Sequence, residues 1–247
     1  MIFRRIKSHV EKENWFAVAI DFFIVVVGVF IGIQVANWNE ARAEAERSAD
    51  LKLRLIQDFR TIEETANRHI DAIISWQTIS QTIGNEILTG TLSPSQPDLA
   101  ERLFDASSWT LLPGRSVSFT EIISQGDMDL LKSTELRDAL LDFDAFAVLH
   151  HESNLTLIDT FMEELDFVSG LMAILEIPEE HYRSDFARDM ETDLNGKDLY
   201  VAMSEFVNAR EIELSSQRQS LARACAVLEA LEQTCANTDT DDAENTP

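Results

Sequence analysis

Apolar residues are distributed along this chain in two ways. From Trp15 to Trp38 (WFAVAIDFFIVVVGVFIGIQVANW) they are nearly continuous, and beyond residue 50 they recur in steps of three and four. The continuous run predicts one membrane-spanning helix. At ~1.5 Å of rise per residue, the 23 steps between the two tryptophans cover roughly 35 Å, close to the hydrocarbon thickness plus its interfaces. Trp15 and Trp38 are expected at the two headgroup belts, where an indole buries its ring and keeps its N–H wet. A cleaved signal peptide also sets basic residues before an apolar run, but this run is long for one, and it is followed by Asn37-Trp38-Asn39-Glu40.

The stepped pattern predicts helices. From about Asn39 to Leu88 there is no proline, and Leu51, Leu55, Phe59, Ile62, Ala66, Ile70, Ile73, Trp76, Ile83 and Ile87 define one buried face of a long helix continuing from the span. Gly90, Pro94 and Pro97 bound a turn. A short helix is expected from about Asp98 to Ala106, and an irregular segment from Ser107 to Val117. Ser118 with Glu121 has the form of a capping box for a brief helix that Gly126 stops. Ser133 can cap a second long helix reaching about Glu176, with Leu136, Leu140, Phe143, Ala147, Leu157, Phe161, Val168 and Leu175 on its stripe and Pro178 after it. Asn195-Gly196 signals a turn. Beyond it Leu199, Met203, Phe206, Leu214, Leu221, Leu228 and Leu231 outline a third long helix to about Cys235. None of these stripes can be buried alone. The expected fold is all-α: an N-terminal transmembrane helix continuing into an elongated antiparallel bundle of three long helices, capped by short ones. The expected organisation is a basic tail (1–14), the span (15–38), an acidic bundle (39–236) and a tail (237–247) too polar to order.

Composition agrees with helices, since the chain holds only five prolines and eight glycines. The formal net charge is −24, and all of it lies beyond the span, because Arg4, Arg5, Lys7 and Lys12 outweigh Glu11, Glu13 and Asp21 over the first 38 residues. Such a surface repels nucleic acid and anionic lipid, so nucleic acid is excluded as a partner. Four basic residues also follow the span (Arg42, Arg47, Lys52 and Arg54), interleaved with acidic ones. The N-terminal basic residues lie closer to the span and are joined by the terminal amine, which favours an N-terminus inside and a body outside.

The residues Asp21 to Glu40, DFFIVVVGVFIGIQVANWNE, resemble the signature of an uncharacterised bacterial family of single-pass membrane proteins, a domain of unknown function. In that family an acidic residue precedes an LVV-like run, a glycine, further apolar residues and a closing NWNE. Asp21, Val25, Val26, Gly28, Ile31, Gln34, Asn37, Trp38, Asn39 and Glu40 fall on the pattern. Thr120 to Asp144 carries a weaker likeness to the family's downstream stretch. The chain departs in having Asp21 where glutamate is usual and Gly32 where alanine is usual. The resemblance implies a topology, a single pass through a bacterial membrane, and it implies no activity; joined to the placement of the basic residues, it gives the expectation of an inner-membrane protein with the N-terminus cytoplasmic and the helical body periplasmic.

Candidate chemistry is sparse. Asp21, Val25, Gly28 and Gly32 share one face of the span, and Gly28-Val-Phe-Ile-Gly32 is a GxxxG that lets two helix backbones approach in lipid. The homodimer this suggests stands against the plainer fact that glycine is common in membrane helices. Asp21 also invites comparison with proton-driven stator subunits, yet it lies near the interface rather than deep in the span, and no peptidoglycan-binding pattern follows. Of the five histidines none forms ExxH or HExxH, which removes the di-iron pattern of helix bundles. His69, and His150 with Asn154, interrupt or flank the stripes and are read as a buried polar layer, with a metal site as the rival reading. Cys225 and Cys235 on one continuous helix would lie ~15 Å apart, beyond the ~7 Å a disulfide allows, so bonding needs a turn between them or a second chain. Trp109 and Arg115, in the irregular segment, could anchor a partner or an anionic ligand; alternatively Trp109, Leu111 and Leu112 plug the end of the bundle. There is no GxSxG, no P-loop and no Cys-x-x-Cys, hence no expected catalytic residue, metal or cofactor. The expected function is a lipid-anchored scaffold, adaptor or sensor input that works by protein association, against an enzyme or metal-binding bundle.

Overall fold

The computed structural model of the chain describes residues 15–175, 192–194 and 196–236, without the side chains of Trp15, Ala17, 151–160, Glu163 and Ile174. The basic tail, the expected breaks at Pro178 and Asn195, and the acidic tail from 237 lie outside the described residues. The chain divides into two units, Met1–Leu51 and Lys52–Pro247.

All described regular structure is helical: α1 (Trp15–Thr89), α2 (Leu99–Ala106), α3 (Val117–Gln125), a 3₁₀ turn (Asp127–Leu130), α4 (Thr134–Leu175) and α5 (Lys197–Ala230). Within the first unit α1 exposes apolar side chains on every side. Phe22 is 71% and Phe23 67% exposed, and the most apolar window of the helix has none of its residues buried. It is long and apolar enough to cross a membrane, and it lies near the N-terminus.

In the second unit the stepped pattern is the core. Leu55, Phe59, Ile62, Ala66, Ile73, Ile83 and Ile87 of α1 are buried, as are Leu136, Leu140, Phe143, Phe146, Phe161, Val168 and Leu171 of α4. Phe59 meets Phe143 edge-on with ring centroids 4.9 Å apart, and Phe161 meets Phe206 of α5 at 4.4 Å. α5 runs antiparallel to α1, since Ala66 packs with Leu221 and Cys225 while Ile83 and Ile87 share a cluster with Leu199 and Met203. It is antiparallel to α4 as well, Asp142 pairing with Arg223 and Phe161 with Phe206. α1 and α4 therefore run the same way, because the segment 90–133 carries the chain back along the bundle before α4 begins.

Two short helices make that return possible. α2 buries Leu99, Leu103 and Ala106, and Arg102 pairs with Glu86 of α1 at 2.9 Å. α3 begins two residues earlier than a capping box at Ser118 implies. Its cap is Ser116, whose Oγ accepts from the Phe119 N–H at 3.1 Å. Asp58 of α1 accepts from both Ser116 Oγ (2.8 Å) and the Ser118 N–H (2.9 Å), and this contact selects the earlier start. Glu121 turns instead to Arg54, at 2.7 Å. Ser133 caps α4 as expected, accepting from Leu136 N–H at 3.1 Å.

Among the described residues, three helix ends use the left-handed region: Gly90 (φ 66°) after α1, Gly126 (φ 75°) after α3 and Glu232 (φ 61°) after α5. At both long helices the reversal closes with a pair of bonds, Thr91 N–H to Glu86 C=O with Gly90 N–H to Ile87 C=O, and Gln233 N–H to Leu228 C=O with Glu232 N–H to Glu229 C=O. That is the double closure of a Schellman end, normally built on glycine. The third long helix thus stops at Ala230 rather than near Cys235. The reversal at Glu232 brings the Cα atoms of Cys225 and Cys235 to 5.4 Å, and the two cysteines form a disulfide.

Candidate functional site

Extending α5's stripe from Met203 and Phe206 by further steps of three and four reaches Arg210, Glu213 and Gln217. All three are buried, whereas Leu214 is only partly so. A polar layer thus crosses the middle of an apolar helix face, packed against α1 on one side and the irregular segment 107–116 on the other.

Arg210 is fully enclosed. Its Nη2 donates to the carbonyls of Ala106 (2.6 Å) and Ser108 (2.8 Å), which are free because α2 has just ended. The guanidinium carbon lies 5.3 Å from the centre of the Trp76 ring, a cation–π contact with α1. Burial pulls the Arg210 pKa down to about 10, against the opposing pull of Glu213 and Asp105. Glu213 accepts from both the backbone N–H and the hydroxyl of Thr110. Burial pushes its carboxyl upward, more than those two donors and Arg210 hold it down. The Gln217 amide donates toward Thr110 Oγ1 and the Leu111 carbonyl, both at 3.3 Å, and toward His69 Nδ1 at 3.4 Å. Arg210 Nε and Nη1, Glu213 Oε2 and Gln217 Oε1 have no hydrogen-bond partner among the described residues. A buried polar atom left without a partner costs stability, which offsets part of what the layer's bonds to residues 106–111 contribute.

The sequence-predicted residues fall around this layer unevenly. His69 joins it through Gln217, and burial lowers its pKa, helped by Arg68 and opposed by a hydrogen bond to the Leu111 backbone. His150 stacks on Phe146 of its own helix at 3.8 Å and faces the Phe146 carbonyl, with no bond to His69. The side chain of Asn154 lies outside the described set. Trp109 packs on Phe161 at 5.0 Å within the main core cluster, so its ring serves packing. Arg115 grips Asp144 of α4 with two bonds, 2.6 and 2.8 Å, which raise its pKa further. In the first unit Gly28 and Gly32 have nothing within 4 Å of where a Cβ would stand, and Trp38 is 64% exposed. Asp21 is exposed too.

Arg210, Glu213 and Gln217 were missed because an apolar-only search skips them; their signal is the unbroken heptad spacing that continues through charged letters. Chemically the layer can hold or release a proton: the Glu213 carboxylate meets the Thr110 hydroxyl, and His69 meets an amide and a carbonyl. One turn away, a cleft of about 370 Å³ opens between α1 and α5, lined by uncharged residues including Gln81, Asn85, Tyr200 and Asn208. Comparison of the chain with protein-family models, curated proteins and solved structures gives no match.

Proposed function

We propose that this protein is a membrane-anchored helical association module, a scaffold, adaptor or sensor input, held in a bacterial inner membrane by its N-terminal helix with the acidic body outside. One observation carries the reading: the large apolar side chains described between Phe16 and Val35, half-buried Val27 apart, are exposed all round the helix, with none of the most apolar window buried. In water that surface would be a large aggregation liability, and lipid is the medium that satisfies it. The likeness of Asp21 to Glu40 to an uncharacterised single-pass family supports the same topology. Association fits the rest, because the body's charge keeps nucleic acid and anionic lipid away.

The test begins with location. The full chain should remain with membranes through high salt and alkaline carbonate and leave only with detergent, and a C-terminal tag should be cut by protease added to spheroplasts. A chain that washes off without detergent, or a tag protected on the cytoplasmic side, overturns the anchor or the orientation respectively. Crosslinking in the membrane should then capture a homodimer or a stable protein partner.

A further inference from the structure

Glu63 is a buried carboxylate, 2% exposed, on the inner face of α1 where its neighbours in the stripe are Phe59, Ile62 and Ala66. Its Oε2 is held by Arg60 at 2.7 Å. Its Oε1 accepts the backbone N–H of Ala236 and lies 3.1 Å from Cys235 Sγ. Within the disulfide that sulfur carries no proton, so the approach is a contact and not a donation. The Arg60 cation and the Ala236 N–H are what let this acid be enclosed, and the oxygen that takes the N–H is also turned toward the sulfur of Cys235.

Three ligating atoms, one from each of Glu63, Cys225 and Cys235, lie within 4.8 Å of one another. A tetrahedral zinc with bonds of ~2.0–2.3 Å needs its ligands roughly 3.5 Å apart, within reach of small side-chain rotations. The two cysteine Cα atoms, 5.4 Å apart, are brought together by a chain reversal that has its own pair of backbone hydrogen bonds besides the sulfur bond. The backbone arrangement can therefore persist when the disulfide opens.

We propose that the Cys225–Cys235 pair and Glu63 form a redox-gated site for a thiophilic divalent cation, zinc being the representative, which is closed by the disulfide and opened by its reduction. A dithiol or phosphine reductant supplies two electrons to the sulfur–sulfur bond and is itself oxidised. Two protons from water complete the thiols. The cation then displaces both thiol protons and takes two thiolates and the Glu63 carboxylate, leaving a fourth position for water. Arg60 and the Ala236 N–H hold the carboxylate in place, the kind of outer support that orients a metal ligand. The site links α1 to the returning end of α5, so metal replaces the disulfide as the staple between them.

The experiment uses the full chain in detergent, with the phosphine removed before zinc is added anaerobically. Reduced protein should bind one zinc per chain and the oxidised protein none, and cobalt in place of zinc should give a thiolate-to-metal charge-transfer band in the near ultraviolet. Glu63→Gln, which still accepts from Ala236, should weaken zinc binding at least tenfold while leaving the oxidised chain's helical circular dichroism unchanged. If reduction loosens the end of α5, zinc should restore the lost helical signal. Reduced protein that takes up no stoichiometric zinc, that binds equally well as Glu63→Gln, or that loses helix without recovery on zinc overturns the proposal.

Discussion

Arg210 and Glu213 decide what the polar layer costs. Removing only the cation leaves Glu213 buried against an apolar neighbour, so Arg210→Met should lower unfolding free energy by about 3–5 kcal/mol, whereas Arg210→Met with Glu213→Gln should recover most of it. Thermal or urea unfolding of both variants measures the difference, and a double variant no better than the single one would show that the Ala106 and Ser108 carbonyls, not the acid, are what Arg210 serves. Two groups of the layer, Glu213 and His69, give opposite pH dependences. Glu213 has a folded pKa above its unfolded value, so the stability it contributes is present in the acid range and lost as pH rises through the raised folded value. His69 has a folded pKa below 6.5, so its contribution is complete above 6.5 and lost as pH falls toward the lowered value. Relative to the parent chain, His69→Gln should flatten the stability loss below pH 6.5. Glu213→Gln should remove a loss that appears on going from acid to neutral pH. Unfolding midpoints between pH 4.5 and 7.5 resolve the two, and parallel curves for parent and variants would refute both assignments.

Helix ends are the next scale, and they repeat one device with one defect. Gly90 and Gly126 take positive φ without strain, while Glu232 takes it at a cost of about 1–2 kcal/mol that any Cβ incurs in that region. Glu232→Gly should raise stability by about 1 kcal/mol, read as a higher unfolding midpoint, and Gly126→Ala should lower it by a similar amount. A fall on Glu232→Gly would mean that its side chain supports the reversal. At the start of α3, Asp58→Ala strands Ser116 Oγ and the Ser118 N–H and should cost about 1–3 kcal/mol. These cases also separate what periodicity could reveal from what it could not. The stripes of α1 and α4, the cap at Ser133 and the stop at Gly126 are local and were legible in steps, hydroxyls and glycines. The α5 terminus was not, because no glycine marks it: Leu231 prolongs the apolar stripe and Glu232 conceals the turn behind an ordinary helix former. The α3 cap was misplaced because Asp58, far away in sequence, chooses between two serines. The polar layer was hidden because burial of Arg210 depends on carbonyls released where α2 ends, a tertiary fact with no letter of its own.

For the molecule as a whole, the balance lies between an N-terminal helix long and apolar enough to cross a membrane and a body of strong negative charge. If two copies associate, their bodies repel, and in 0.15 M salt that repulsion reaches over a screening length of ~8 Å. The attractive contribution would then come from the span, where Gly28 and Gly32 leave an open, small-residue face. This division predicts an unusual salt response. Dimer capture by a crosslinker placed in the body should rise with ionic strength, because screening weakens the only long-range force opposing it; contacts made by charge complementarity would show the reverse. Replacing Gly28 and Gly32 with leucine should abolish the dimer at every salt concentration while membrane retention is unchanged, since leucine is as much at home in hydrocarbon as the residues around it. Capture that falls with salt, or that survives both substitutions, would place self-association in the body and leave the span as an anchor alone.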